Sequence, residues 1–577
     1  MRARRGDRGR RELARSRRGH AFDRRLVAVA AVVTVALLAI ARCSVDPTGP
    51  AGWSWPVLML CVLAAAVAGR GLVGHREAEE GEARPAPSRR VRAAIWLLLL
   101  AAAIGPNLHS LGVGFLADDF GLLRGAKLMG GPLDAARIRP LPMFYRPVSL
   151  LVWWLGLQLW QGSALGYHLF SLLLHAANTA LVYLLARRYL GSVFGAAMAA
   201  LLFAVHPVHV EATVWAAAQP DLLCTAFCLS SMWCVEQYLA AGGRDKQLAL
   251  AGAVALFLLA LWSKETAAAL VGVVLIRLAV MPRGQRAPRA IRVGAAFAGA
   301  LAVYLAVRLL VLREHWLGGE ETRAGLWNAA SSSMPLLLMY QLLFPIHQTL
   351  FESVLPRVAA VAAAAVGLLW WMRRLELVSW QRSVIAAGYL LVPAIPVAAA
   401  GLTVGADMAN SRYAYLPSVG LALLFGGLCA APEGRWRRTA LVGAATVCAA
   451  AVLSVWYVSA WKQAARLRDD VLAAGARLVQ QLPNSPPPSA LYLQGLPSSH
   501  RGVPVFVCCF SMALAPLVDR QVEVVEVGST PSAGEVMAAS DLLPGEYLAS
   551  WDSKSRRMLL KRSGPGAMPK LGPEASR

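Results

Sequence analysis

The sequence predicts an all-α polytopic membrane protein of about thirteen transmembrane helices with a small C-terminal periplasmic α/β domain. Three observations predict it. The 577 residues are 57% hydrophobic and only 16% charged, with a mean hydropathy of +0.51. The apolar residues come in repeated runs of roughly 18 to 22, the length that crosses about 30 Å of hydrocarbon. Basic and acidic residues fall on alternate connections between those runs. Lipid offers no partner to backbone N–H and C=O groups, so the runs must be helices.

Residues 1–25 form a basic tail, with eleven arginines against Asp7, Glu12 and Asp23. A basic flank beside a span places that end in the cytoplasm, and the same charge is drawn to anionic headgroups. Basic arms also bind RNA, but this charge lies directly against an apolar run, so membrane lipid is the expected partner and nucleic acid is not. The run 26–42 reads either as a signal peptide or as an uncleaved first span. The long tail, and the lack of a small-residue cleavage site before Asp46, favour the span. With 55–73 it makes two additional helices, followed by a Pro-containing cytoplasmic linker, so that 26–92 forms one region.

The core, 93–460, begins with a span at 93–112 and a first large outer loop at 113–165. Further spans follow at about 166–186, 192–206, 221–240, 248–262, 266–281, 293–312, 357–372, 383–401, 416–431 and 439–460. Segment 326–345, apolar but broken by Pro335 and Pro345, reads as an interfacial helix. Loops assigned inside hold Arg187 and Arg188, Arg244 and Lys246, Arg283 to Arg292, Arg373, Arg374 and Arg382, and Arg435 to Arg438. Loops assigned outside hold Asp118, Asp119, Glu211, Asp221, Glu314, Glu320, Glu321 and Asp407. One miscounted span would invert every later loop and erase that asymmetry.

Beyond the core, 461–482 reads as an amphipathic helix leaving the membrane, ended by Pro486–Pro488. Short β-like runs then alternate with turn residues (Leu491–Leu493, Val503–Val507, Val522–Val527, Tyr547–Trp551, Met558–Leu560). Helix and strands together make a periplasmic region over 461–565, and 566–577 is a polar tail expected to be disordered. No internal repeats are seen. The nine cysteines show no metal spacing, and most lie in apolar runs, where cysteine acts as a small hydrophobe. The excess of Arg and Ala over Lys and Ile points to a GC-rich bacterium, and hence to its inner membrane.

Candidate chemistry collects at the outer ends of spans. Asp118 and Asp119 are a carboxylate pair just past a span. One can take a proton from a hydroxyl while the other orients it or holds a cation, and their mutual repulsion raises one pKa. Equally, Asp119 can cap a helix starting at Phe120. In His206-Pro207-Val208-His209-Val210-Glu211 the proline should end the helix, turning two imidazoles and a carboxylate into an outer cavity; the spacing fits no standard zinc site. Lys264 and Glu265 sit in a very short turn, where ionisable groups suggest function, or a local ion pair holding that turn. Arg412, beside Tyr413, could clamp a phosphate with its planar fork, as could Arg146, or the Arg–Tyr pair could anchor to the interface. His168 and His175 share one helix face and could be buried and hydrogen-bonded. All of these sites fall on one side of the membrane, where simple anchors would fall on both.

These residues resemble the GT-C glycosyltransferases, and most closely the bacterial relatives of the transmembrane and tetratricopeptide-repeat O-mannosyltransferases. The resemblance is carried by Ala117-Asp118-Asp119-Phe120, Tyr145-Arg146-Pro147-Val148, Gly166-Tyr167-His168-Leu169 through Leu174-His175-Ala176, Phe203 to Ala212, Ser263-Lys264-Glu265 and Arg412 to Ser418, and covers about 93–430. It implies a fold of about eleven core helices and a lipid-phosphate sugar donor. The two leading helices look additional, and the small α/β domain stands where the family carries its repeats, which leaves the acceptor open between protein and glycan.

The resulting expectation is an enzyme that transfers a sugar, in this family mannose, from a polyprenyl-phosphate donor to a hydroxyl acceptor on the periplasmic face, with inversion. Asp118 would be the general base and Asp119 its support. Arg412 and Lys264 would neutralise the leaving phosphate, with Arg146 assisting. His206, His209 and Glu211, together with His168, His175, Glu265 and Tyr413, would line the substrate site. No cofactor is identified; a divalent cation stays open, with no metal site expected. The rival is a non-catalytic lipid-linked-sugar transporter or scaffold on the same fold. It should need polar groups at mid-bilayer, where the spans are clean apart from Arg277 and Arg308 near their ends.

Overall fold

The computed structural model describes residues 88–139, 144–240, 243–281, 283–312, 341–343, 345, 380–399, 405, 407–430, 436–482, 488–506, 509–518, 522–527 and 546–563. The expected spans 26–42, 55–73 and 357–372, the basic tail, the C-terminal tail and nearly all of the 326–345 helix lie outside the described residues.

Fourteen helices precede the C-terminal domain among the described residues. Helix α1 (Arg89–Ile104) runs into a 3-10 turn to Gly112; Ser88 caps it by accepting from Val91 N at 3.4 Å. Helix α2 (Asp118–Lys127) and the apolar α3 (Pro147–Trp160) fill the expected large loop, α3 starting with proline at its first position. Helix α4 (Ala164–Leu190) is 27 residues long and ends at Gly191, whose φ of +64° is the left-handed conformation that suits a helix stop. Ser192 then caps α5 (Val193–Val205) through Gly195 N at 3.1 Å. The short α6 (Val210–Val214) leads to α7 (Gln219–Ala240), α8 (Gly243–Ser263), α9 (Leu270–Ala279) and α10 (Arg283–Leu312). Helices α11 (Trp380–Leu391), α12 (Ala394–Ala399), α13 (Ser418–Cys429) and α14 (Trp436–Gln481) complete the bundle.

Six of these helical stretches are long and apolar enough to cross a membrane: Arg89–Gly112, Ala164–Leu190, Ala216–Ala240, Asp245–Ser263, Pro288–Leu312 and Thr439–Gln481. A seventh arises if the pair Val193–Val205 and Pro207–Val214, bent by 48° at Pro207, is one broken span. Three segments expected as full spans are shorter or interrupted. Residues 266–281 hold the ten-residue α9 after a 3-10 turn, 383–401 is split between α11 and α12 at Pro393, and α13 has twelve residues.

The last span expected at 439–460 and the helix expected at 461–482 run on without a break: α14 is one helix of 46 residues. The junction, Ala460-Trp461-Lys462-Gln463-Ala464-Ala465, holds no breaker and consists largely of good helix formers. Trp461, Ala464, Val471 and Val479 are buried along its length, so packing continues where the apolar run stops.

Small residues let the helices approach closely. A Cβ on Gly195 of α5 would stand 2.6 Å from Ala430 Cβ at the end of α13, and one on Gly426 would stand 2.7 Å from Ala199 Cβ. This is the close packing that membrane helices use in place of a hydrophobic drive. At the end of the bundle where α4 stops, Arg277 makes a two-point pair with Glu236, at 2.5 and 2.9 Å, and Arg188 reaches the same carboxylate at 3.4 Å. Arg277 is thus paired across helices.

After α14, β1 (Ala490–Gln494) is the centre of a four-stranded sheet ordered β4-β1-β5-β6, with β4 (Glu523–Val527), β5 (Glu546–Asp552) and β6 (Arg557–Ser563). β1 is parallel to β4 and β5, and β6 is antiparallel to β5. A two-stranded ribbon, β2 (Ser499–His500) with β3 (Val503–Pro504), and helix α15 (Phe510–Leu514) sit between β1 and β4. Val505, Phe506 and Phe510 are fully buried, joining this domain to the helical core.

Candidate active site

Asp118 and Asp119 open helix α2, where the free N–H groups favour negative charge. They differ in surroundings. Asp118 is half-buried, whereas Asp119 is fully enclosed. Asp119 Oδ2 accepts from Leu116 N at 2.7 Å and Oδ1 accepts from Ala217 N at 2.6 Å. It therefore ties the loop to the start of α7 instead of capping α2 from Phe120. Burial pushes its carboxyl well above the usual range, and the two amide bonds pull the other way.

Three ion pairs lie beyond this loop. Arg146, the residue before Pro147, forks onto Glu265 with Nε–Oε2 at 3.0 Å and Nη2–Oε1 at 2.5 Å. Burial alone would raise the Glu265 carboxyl; the Arg146 guanidinium, with Lys264, overrides it and holds it at about 2. Lys264 donates to Asp221 Oδ1 at 2.5 Å, and both side chains are buried. Arg412 pairs through Nη1 with Glu211 Oε1, and its backbone N and Ser411 Oγ donate to Glu211 Oε2 at 2.9 and 3.3 Å.

Tyr413 joins the pairs. Lys264 Nζ stands 4.5 Å from its ring centroid and the Arg412 guanidinium 4.7 Å, distances at which a ring face attracts a cation. Arg146 lies within electrostatic reach of Tyr413 and Asp221. Arg412 also lies 4.9 Å from the Trp215 ring, and Trp215 Nε1 donates to Leu116 O at 3.2 Å, so the loop before Asp118 is one residue away from the cluster. Arg146, Glu211, Lys264, Glu265, Arg412 and Tyr413, drawn from four separate stretches of the chain, thus form one buried to half-buried group of three cations and three carboxylates once Asp221 is added. Asp221, Tyr413 and Thr266 also line a narrow pocket against Pro393 and Val397.

The local Lys264–Glu265 pair considered from sequence is not formed. Lys264 has extended backbone, φ −159° and ψ 137°, so adjacent side chains leave on opposite sides and find different partners. The histidines are corrected too. Pro207 bends the chain as expected, but the imidazoles turn inward. His206 Nε2 donates to Leu342 O and its Nδ1 accepts from Val208 N. His175 Nε2 donates to Ala204 O at 2.9 Å and Nδ1 accepts from the Tyr415 hydroxyl at 2.7 Å. His209 Nε2 meets Ser418 Oγ at 2.7 Å. With Phe203 and Tyr415 they make a buried ring cluster that holds the segment after Arg412 in place. His168 Nε2 donates to Gly114 O at 3.1 Å. Sequence reasoning left out Asp221 and Trp215 as site residues, because an acid at a helix start reads as a cap and a tryptophan at a span end as an anchor. Among the described residues no group of three or more His, Cys, Asp or Glu is placed to share a metal ion.

The described residues thus form a helical bundle with membrane-length helices and a cluster of ion pairs beside a carboxylate loop. Residues 141–311 match the family model described as dolichyl-phosphate-mannose-protein mannosyltransferase. The chain is similar to a protein O-mannosyl-transferase of Caenorhabditis elegans, 30% identical over 151 residues that are 24% of this chain and 22% of that protein. Two protein O-mannosyl-transferases of Drosophila melanogaster are 34% identical over 142 residues (21% of this chain, 16% of theirs) and 32% identical over 179 (28% and 19%). The matches span about a fifth of the length of these curated relatives. The expected likeness to the O-mannosyltransferases is therefore found. Its family-model part includes Arg146, Glu211 and Lys264, and stops short of Asp118 and Arg412.

Proposed function

We propose that the chain is an inner-membrane mannosyltransferase of a bacterium, taking mannose from a polyprenyl-phosphate donor and passing it, with inversion, to a protein hydroxyl on the periplasmic face. The observation that carries this reading is the convergence of Arg146, Lys264 and Arg412, from three separate connections, around Tyr413 beside the Asp118 loop. Asp118 takes the proton of the acceptor hydroxyl as its oxygen attacks the anomeric carbon. The bond from that carbon to the phosphate oxygen breaks, and polyprenyl phosphate leaves with the electron pair. Lys264 and Arg412 stabilise the charge that grows on that oxygen.

The cluster is balanced before the donor arrives, with Glu265, Asp221 and Glu211 each occupying one cation. A phosphate must therefore share or displace a carboxylate contact, and Lys264–Asp221, beside the pocket, is the pair positioned to yield. The named activity of the relatives supports a protein acceptor, and the C-terminal domain at 461–565 supplies a surface on the same end of the bundle. The test is mass analysis of envelope glycoproteins from cells with and without the chain. Hexose-bearing peptides are expected to disappear without it and return on complementation; identical profiles in both strains contradict the proposal.

A further inference from the structure

Residues 113–117 lead from the end of the first described span into α2, and they decide where Asp118 stands. The core grips this pentapeptide from one side: His168 donates to Gly114 O at 3.1 Å, Trp215 Nε1 to Leu116 O at 3.2 Å, and Asp119 accepts from Leu116 N at 2.7 Å. The other side is gripped from far along the chain. Arg468, on the part of α14 beyond the apolar run, donates through Nη1 to Val113 O at 2.9 Å and to Phe115 O at 2.6 Å, while its Nε pairs with Asp469 at 2.9 Å. Ala117 N donates to Val505 O at 3.1 Å. Val505 is itself fixed, its N–H donating to Ser498 O at 2.9 Å and its side chain fully buried.

The backbone shows what these bonds hold. Gly114 has φ +73°, and a Cβ there would stand 2.8 Å from Arg468 Nη1, so only glycine lets the guanidinium lie against the loop. Ala117 has φ 44°, a conformation that a residue with a Cβ keeps only where its surroundings over-determine it. The three successive carbonyls of 113, 114 and 115 are claimed alternately by Arg468, His168 and Arg468.

We propose that Arg468 is a positioning residue for the transfer reaction, and that α14 and the C-terminal domain, through Arg468 and the Val505 carbonyl, lock the loop that aims Asp118. This rests on the reading of Asp118 as the base. The C-terminal domain is then part of the active site's framework, in addition to any acceptor it meets. A planar fork pairing with Asp469 while one nitrogen bridges two carbonyls is a task arginine suits and lysine fulfils only in part.

The test uses the full chain in lipid nanodiscs and two readouts. One is hydrogen–deuterium exchange of the amides in 113–119; the other is turnover of synthetic polyprenyl-phosphate mannose with a Ser/Thr peptide. Arg468→Ala is expected to speed exchange about tenfold or more and to lower kcat about tenfold to a hundredfold, with the donor KM within about twofold. Arg468→Lys should recover part of both, and Gly114→Ala, which pushes on the same contact, should reproduce the alanine pattern. Wild-type exchange in both Arg468→Ala and Gly114→Ala overturns the lock. Faster exchange with unchanged kcat overturns the positioning role. If the wild-type chain turns over no donor, the transferase reading falls, while the exchange result still supports or overturns the lock.

Discussion

Asp118→Asn is expected to abolish transfer while leaving the protein folded. A positioned general base contributes about 10²- to 10⁴-fold, and the carboxamide cannot take the hydroxyl proton. The structural cost is small: Asp118 is half-buried at a helix start, where losing a charge costs about 0.3–1 kcal/mol. Its neighbour is expected to behave differently. Both oxygens of Asp119 accept backbone N–H bonds, and an amide can satisfy one only, turning its own donors towards the other. Asp119→Asn therefore leaves a buried donor unmet, at about 1–3 kcal/mol, and should lower stability and activity together. Thermal unfolding and initial rates on the two variants separate the roles. Equal loss of activity without loss of stability in both would contradict the division of labour.

Arg412→Ala is the second large effect. Glu211 is 4% exposed, and its carboxylate accepts from Ser411 Oγ and from the backbone N and guanidinium of Arg412. Removing the guanidinium strands a buried carboxylate, a change that costs about 3–5 kcal/mol, and removes a cation from the proposed phosphate site, worth about 10²- to 10³-fold by analogy with other charge-stabilising groups. The two losses come apart in the double variant Arg412→Ala with Glu211→Gln. Neutralising the stranded acid should restore most of the stability and none of the rate. Arg412→Lys keeps the charge and loses the fork over Tyr413 and Trp215, so it should fall between. Full recovery of turnover in the double variant would show that Arg412 acts only as a counter-ion to Glu211.

Hydropathy made the spans at 93–112, 166–186, 221–240, 248–262 and 293–312 legible, because a lipid-crossing helix leaves a contiguous signal. It could not give the partners of charged residues. Lys264 and Glu265 are neighbours in the chain, and one extended residue sends them to Asp221 and Arg146, 43 and 119 positions away. Residue type alone did not give the partners of the histidines: both ring nitrogens of His175 and His206, and Nε2 of His209, are hydrogen-bonded within the buried core. Arg468 was invisible for the opposite reason. On a helix read as leaving the membrane it looked like one surface charge among several, and nothing local marks a guanidinium whose acceptors lie 353 and 355 residues earlier.

The proposed role of the paired cations Arg146, Lys264 and Arg412 is to serve a lipid-linked sugar phosphate. Its most direct measurement is radiolabelled mannose transfer by the purified chain in nanodiscs, offered either polyprenyl-phosphate mannose or nucleotide-linked mannose with a Ser/Thr peptide. Label should reach the peptide from the lipid-linked donor alone, with polyprenyl phosphate released in equal amount. Transfer from the nucleotide donor, or an intact lipid donor after prolonged incubation with active-folded protein, would contradict it.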